Sequence, residues 1–109
     1  MRRACDQGLM ISTYGTVSVR WNENDFLITP PDVARWDLSP GDIVQIKNGK
    51  AESGKIPSRS TFLHQRIYKK NPEINSIILT QAPNLMAFGT TNEKFDVRTI
   101  PESWIFLQD

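Results

Sequence analysis

The side chains able to do chemistry concentrate between Ile56 and Pro83, in the run I-P-S-R-S-T-F-L-H-Q-R-I-Y-K-K-N-P-E-I-N-S-I-I-L-T-Q-A-P. Ser58 and Arg59 follow Pro57, just ahead of a helical pattern. Free amides and the helix dipole attract anions there. A guanidinium at that place grips phosphate or carboxylate. It can equally pair with Asp32, and the sequence leaves both readings open. Ser60 and His64 stand four residues apart and share a helix face. A serine–histidine pair also needs an orienting acid and an oxyanion hole to act as a nucleophile, and neither is legible. His64 is the only histidine. One histidine cannot build a zinc site, which takes at least three protein ligands. A structural role for His64 is therefore the reading. Cys5 has no sequence neighbour to activate it and reads as a small packing residue.

These residues must be positioned by short elements. Ser58 reads as the helix N-terminus, before the apolar positions Phe62, Leu63 and Ile67. The helix ends near Asn71-Pro72, because proline disfavours helical geometry in its predecessor. Ser76 to Thr80 is a β-branched run suited to an interior strand. Pro83 opens a further helix to Gly89, with Leu85, Met86 and Phe88 burying one side. Upstream, Met1 to Met10 reads as a helix end closed by Gly8. Tyr14 to Arg20 alternates apolar with polar and predicts a strand. Trp21 to Asp25 supplies turn residues, and Phe26 to Thr29 the return strand of a hairpin over 16–29. Ile43 to Lys47 predicts a third strand. Asn48-Gly49 signals a type I′ turn into a short return strand near Lys50 to Ser53. Between Phe95 and Asp109, a helical turn at Pro101-Glu102-Ser103 and a strand over Trp104 to Leu107 both remain open.

The arrangement resembles the class II aldolase/adducin family. There a P-S-S-E segment caps a helix containing L-H-x-x-I-Y, and an H-T-H-S-P strand end follows. The corresponding residues are Pro57-Ser58-Arg59-Ser60, Leu63-His64-Gln65-Arg66-Ile67-Tyr68 and Leu79-Thr80-Gln81-Ala82-Pro83. The resemblance implies an α/β fold, residues 1–109 forming part of a three-layer α/β/α domain with a central mixed, mostly antiparallel sheet. It also implies a phosphate site through G-N-x-S-x-R and F-L-I-T-P-S-G motifs. Gly15, Ser18, Arg20, Thr29 and Pro30 match them. Thr16 stands for the asparagine, and Pro31-Asp32 for the last Ser-Gly. Pro31 removes an amide donor and Asp32 adds a negative charge. The candidate phosphate-binding residues are Gly15, Thr16, Thr29, Ser58 and Arg59. The family's catalytic glutamate falls on Ser60, and two of its zinc-binding histidines fall on Leu79 and Gln81. Family members use zinc to stabilise an enediolate. With those positions changed, no catalytic residue, no metal ligand and no cofactor is expected.

The functional expectation is a domain related to sugar-phosphate aldolases, inactive by itself and structural or assembly-forming. One alternative is a lyase or epimerase acting on sugar phosphates with ligands from another subunit or domain. Another is an anion- or sugar-phosphate-binding module. A homo-oligomer or companion domain is the expected partner, with a phosphorylated sugar as possible ligand, since an unpaired sheet edge recruits partners. The 109 residues suit one small domain. A net charge of +1 gives no field for nucleic acid or an anionic membrane. No apolar run is long enough to span a bilayer. The single cysteine excludes an internal disulfide, and a cytoplasmic setting is expected.

Overall fold

The computed structural model describes residues 1–108. A short helix, α1 (Arg2–Asp6), precedes strands β1 (Thr16–Arg20), β2 (Phe26–Ile28), β3 (Val44–Lys47) and β4 (Lys50–Ala51). Helix α2 (Thr61–Lys70), strand β5 (Ser76–Leu79), and helices α3 (Pro83–Gly89) and α4 (Pro101–Leu107) follow. The strands make one five-stranded sheet in the order β4-β3-β2-β1-β5, and every pairing is antiparallel.

Turn chemistry sets the register. Asn48 (φ 47°) and Gly49 (φ 79°) both take positive φ, the geometry of a type I′ turn, and Lys47 pairs with Lys50 across it. In the β1–β2 turn, Asn22 Oδ1 accepts from the backbone amides of Asn24 and Asp25. Arg20 then lies opposite Phe26 and Ser18 opposite Ile28. The core is Phe26 and Ile28 of β2, Val44 and Ile46 of β3, and Tyr68 of α2, all buried. Each such side chain contributes roughly 1.5–3 kcal/mol on burial.

The alternation of β1 leaves open which face turns inward, and the structure decides it. Its inward face is the polar one: Thr16 and Ser18 are buried beneath α2, while Val19 is half exposed. The reason is what α2 brings to the interface, namely His64 and Tyr68, whose polar atoms satisfy the serine. The groove on the opposite face runs between Val17, Val19 and Leu27 of the sheet and Leu38, Pro40 and Ile43 of the 33–43 segment.

Three expectations are corrected. The Ser76–Thr80 run is not interior: β5 is an edge strand paired only with β1, and Ile78 is 60% exposed. A short β-branched run reads alike whether one face or both are covered. Helix α2 starts at Thr61 with Ser60 as its N-cap, two residues later than the sequence reading. Ser58 instead makes the turn before it, its Oγ accepting from Ser60 N at 3.2 Å. Leu85 and Met86 of α3 do not bury a face but stay exposed, and only Phe88 finds an aromatic partner, edge-on to Phe95 at 5.9 Å. The open choice near the C-terminus resolves as helix, with Pro101 in the first turn of α4. No helix among the described residues is long and apolar enough to cross a membrane.

Candidate functional site

The turn into α2, the start of β1 and the end of β5 converge on a pocket of about 330 Å³. Its walls include Gly15, Thr16, Ser58, Arg59, Leu79 and Gln81. Ser58 is fixed from two sides. Its amide donates to Thr29 O at 3.2 Å, and its hydroxyl lies 2.8 Å from Thr16 Oγ1. Gln81 is held by its amide on Leu9 O at 3.0 Å. Gly15 is required: its φ is +87°, and a Cβ there would sit 2.8 Å from Met10 Cγ and 3.2 Å from Leu79 O.

Of the five phosphate candidates, Gly15, Thr16, Ser58 and Arg59 line this pocket together. Thr29 does not. Its hydroxyl accepts from Val17 N at 3.3 Å, and it serves the pocket only through the carbonyl that holds Ser58. Arg59 is exposed. Among the described residues the salt bridges are Lys55–Glu52 and Arg98–Asp96, so no ion pair ties Arg59 to Asp32.

Sequence reasoning missed Arg35. Its buried guanidinium donates to Gly15 O at 2.8 Å and to Pro30 O and Val33 O at 2.9 Å. Burial lowers its pKa, which the Asp32 carboxylate partly offsets. It ties the loop after β2 to the glycine that shapes the pocket. No local pattern around Arg35 announces this, because the Gly15 carbonyl, 20 residues away, is brought to it by the fold.

The Ser60–His64 pairing does not form. His64 Nδ1 lies 2.7 Å from Ser18 Oγ, and the same oxygen lies 2.7 Å from Tyr68 Oη. Ser18 and His64 are 1% and 0% exposed, so no substrate reaches them. Burial pushes the imidazole pKa down. Burial pushes the Tyr68 phenol up, against its hydrogen bond with Ser18 and the charge of Arg20. Nε2 of His64 is buried without a partner among the described residues. The arrangement is a structural relay between β1 and α2.

Ser60, Leu79 and Gln81 share the pocket wall, which places the three changed family positions side by side. A hydroxyl, a methyl pair and a carboxamide do not make a zinc donor set. Among the described residues no three His, Cys, Asp or Glu side chains group to hold a metal.

Residues 1–105 match the family described as Class II Aldolase and Adducin N-terminal domain. The chain is 41% identical over 86 residues to 5-methylthioribulose-1-phosphate/5-deoxyribulose-1-phosphate aldolase of Escherichia coli, covering 78% of this chain and 40% of that protein. It is 36% identical over 95 residues to L-fuculose phosphate aldolase of the same species, covering 86% and 41%. The crystal structure of L-fuculose-1-phosphate aldolase from Thermus thermophilus superposes with a TM-score of 0.62 at 25% identity, over 78% of this chain and 43% of that one. The chain thus spans about two fifths of the length of these relatives. The match corrects the expectation of no cofactor, since homologues such as fuculose phosphate aldolase are zinc-dependent. That expectation rested on the changed positions Ser60, Leu79 and Gln81, whereas a cofactor belongs to the whole protein, of which this chain matches about two fifths.

Proposed function

This chain belongs to the class II aldolase and adducin N-terminal domain family, and from that premise we propose that it is a partial domain holding the phosphate end of a phosphorylated sugar. Its described residues do not complete the apparatus for carbon–carbon cleavage. The observation that carries the reading is the composition of one pocket wall: Thr16, Ser58 and Arg59 beside Ser60, Leu79 and Gln81. The first three suit an anion. The Thr16 and Ser58 hydroxyls share one hydrogen bond and keep one proton free. That proton and the Arg59 guanidinium donate to phosphate oxygens, beside the positive end of the α2 dipole. The Asp32 carboxylate across the pocket opposes them and limits affinity. The other three offer no group that takes a proton near neutral pH, since an aliphatic hydroxyl is a poor base without a partner.

The second reading is a lyase or epimerase completed by a companion domain or a second subunit. It is favoured by the length of the relatives, of which this chain matches about two fifths. Their printed names are sugar-phosphate aldolases, so the substrate class is the same in both readings. The exposed edge of β5 supports assembly as a homo-oligomer or with such a companion. A cytoplasmic setting accords with the single free thiol and with phosphorylated sugars as ligands.

Titration calorimetry with a ketose 1-phosphate tests the binding half of the proposal. Binding is expected, weakened about tenfold by Arg59→Ala, equivalent to about 1.4 kcal/mol. Aldol cleavage assayed with added zinc tests the other half. EDTA-sensitive cleavage by the purified chain alone would overturn the proposal, and cleavage appearing only with a companion would select the second reading.

A further inference from the structure

A cleft of about 940 Å³ lies at the end of the sheet remote from the anion pocket, where β1 turns into β2. Its walls are locked by groups whose hydrogen bonds are already spent. Arg20 donates to Ile74 O at 2.8 Å, Tyr68 O at 2.9 Å and Asn71 O at 3.1 Å, joining β1 to the end of α2. The guanidinium also lies over the Tyr68 ring, 4.6 Å from its centroid. Asp25 accepts from Asn22 Nδ2 and Asn48 N, both at 2.9 Å, joining the two hairpin turns. Gly49 lets Gln65 lie against the turn, since a Cβ there would stand 2.8 Å from Gln65 Nε2.

Within that rigid frame, a second set of polar groups is unspent. Among the described residues the side-chain amides of Asn24, Asn48 and Gln65 and the indole N–H of Trp21 make no hydrogen bond to the protein. Trp21 is 66% exposed at the cleft. We infer that this cleft is a second ligand site, for a neutral saccharide, built from the Trp21 indole and the carboxamides of Asn24, Asn48 and Gln65. Each carboxamide both donates and accepts, as each sugar hydroxyl does, so one amide can serve neighbouring hydroxyls. The indole offers an apolar face with a polar edge, matching the C–H face of a pyranose ringed by hydroxyls. The charged lining is balanced, with Lys69 and Arg20 against Glu23 and Asp25. That balance gives an anion no preference here, unlike the pocket at Arg59. The volume falls in the range that small-ligand clefts occupy. The site is independent of the phosphate reading, because its ligand needs no phosphate.

The test is a nitrogen-15 NMR titration of the full chain with maltose, cellobiose and lactose, and separately with inorganic phosphate. Saturable shifts of the Trp21 indole and of the Asn24, Asn48 and Gln65 carboxamides are expected, with a Kd on the order of 1 mM for at least one sugar. Trp21→Ala should weaken binding about tenfold or more, and Trp21→Phe should largely restore it by keeping a ring face. Trp21 is exposed, so an unchanged melting temperature in both variants confirms folding. Phosphate should shift Ser58 and Arg59 and leave the cleft untouched. Absence of saturable shifts across the sugar panel would overturn the inference. So would sugar shifts confined to the Arg59 pocket, or cleft shifts that track protein concentration instead of sugar, which would mark a second copy as the occupant.

Discussion

Acidification should destabilise this protein through His64 before it does so through any carboxylate. The imidazole is fully buried, and its Nδ1 lies 2.7 Å from Ser18 Oγ. With the neutral ring's proton on Nε2, Nδ1 accepts from Ser18, and the Ser18 oxygen can then accept from the Tyr68 hydroxyl 2.7 Å away, so each hydroxyl proton has a place. A proton on Nδ1 reverses the relay. Ser18 must then accept from the ring and donate to Tyr68, and the phenolic proton loses its acceptor among the described residues. An orphaned buried hydroxyl costs about 1–3 kcal/mol, beside the cost of a buried cation. The folded state therefore holds the histidine pKa below its ordinary 6.5. Between the folded and unfolded pKa values the unfolded chain binds more protons, so stability rises with pH. The contribution is complete above about pH 6.5 and is lost as pH falls towards the folded value, at up to about 1.4 kcal/mol per pH unit. Hydrogen bonds lower the pKa of Asp25, Asp42 and Glu52, so their contributions are lost only below about pH 4. Urea unfolding at intervals from about pH 7 down to about pH 5 measures the slope. His64→Leu leaves Ser18 bound to Tyr68 and removes the titration, so the variant should be weaker at neutral pH yet flat across this window. An equal slope in wild type and His64→Leu would refute the assignment.

Two further substitutions probe the pocket's framework. Gly15→Ala places a Cβ against Met10 and Leu79 at a φ of +87°. It should cost about 1–3 kcal/mol in urea unfolding and weaken phosphate binding together with stability. Arg35→Met keeps the stem and removes the donors to Gly15, Pro30 and Val33. With those carbonyls left buried and unpaired, a loss of roughly 3 kcal/mol or more is expected by thermal unfolding. An unchanged melting temperature would show that water replaces the guanidinium.

Much of this protein is written locally. Asn48-Gly49 specifies its turn because only residues tolerant of positive φ fit there, and the turn alone fixes how β3 meets β4. The 16–29 hairpin, the end of α2 before Pro72 and the Pro83 helix start follow from turn residues, prolines and periodicity in the same way. The pocket was legible as well: a segment matching a known pattern in register carries Ser58, Arg59, Leu79 and Gln81 to one place with its fold. What the chain's order could not convey is which side of an alternating strand is covered. Alternation in β1 sets Val17 and Val19 on one face and Thr16 and Ser18 on the other without choosing between them, and the buried residues are Thr16 and Ser18, because α2 arrives with His64 and Tyr68. The edge position of β5, the carbonyl cage around Arg35 and the amide-lined cleft beside Trp21 belong to the same class. Period and turn chemistry act within a few residues of each other and are visible in order, whereas each of these features needs at least one pairing of residues 20 or more positions apart, and only the packed chain brings them into contact.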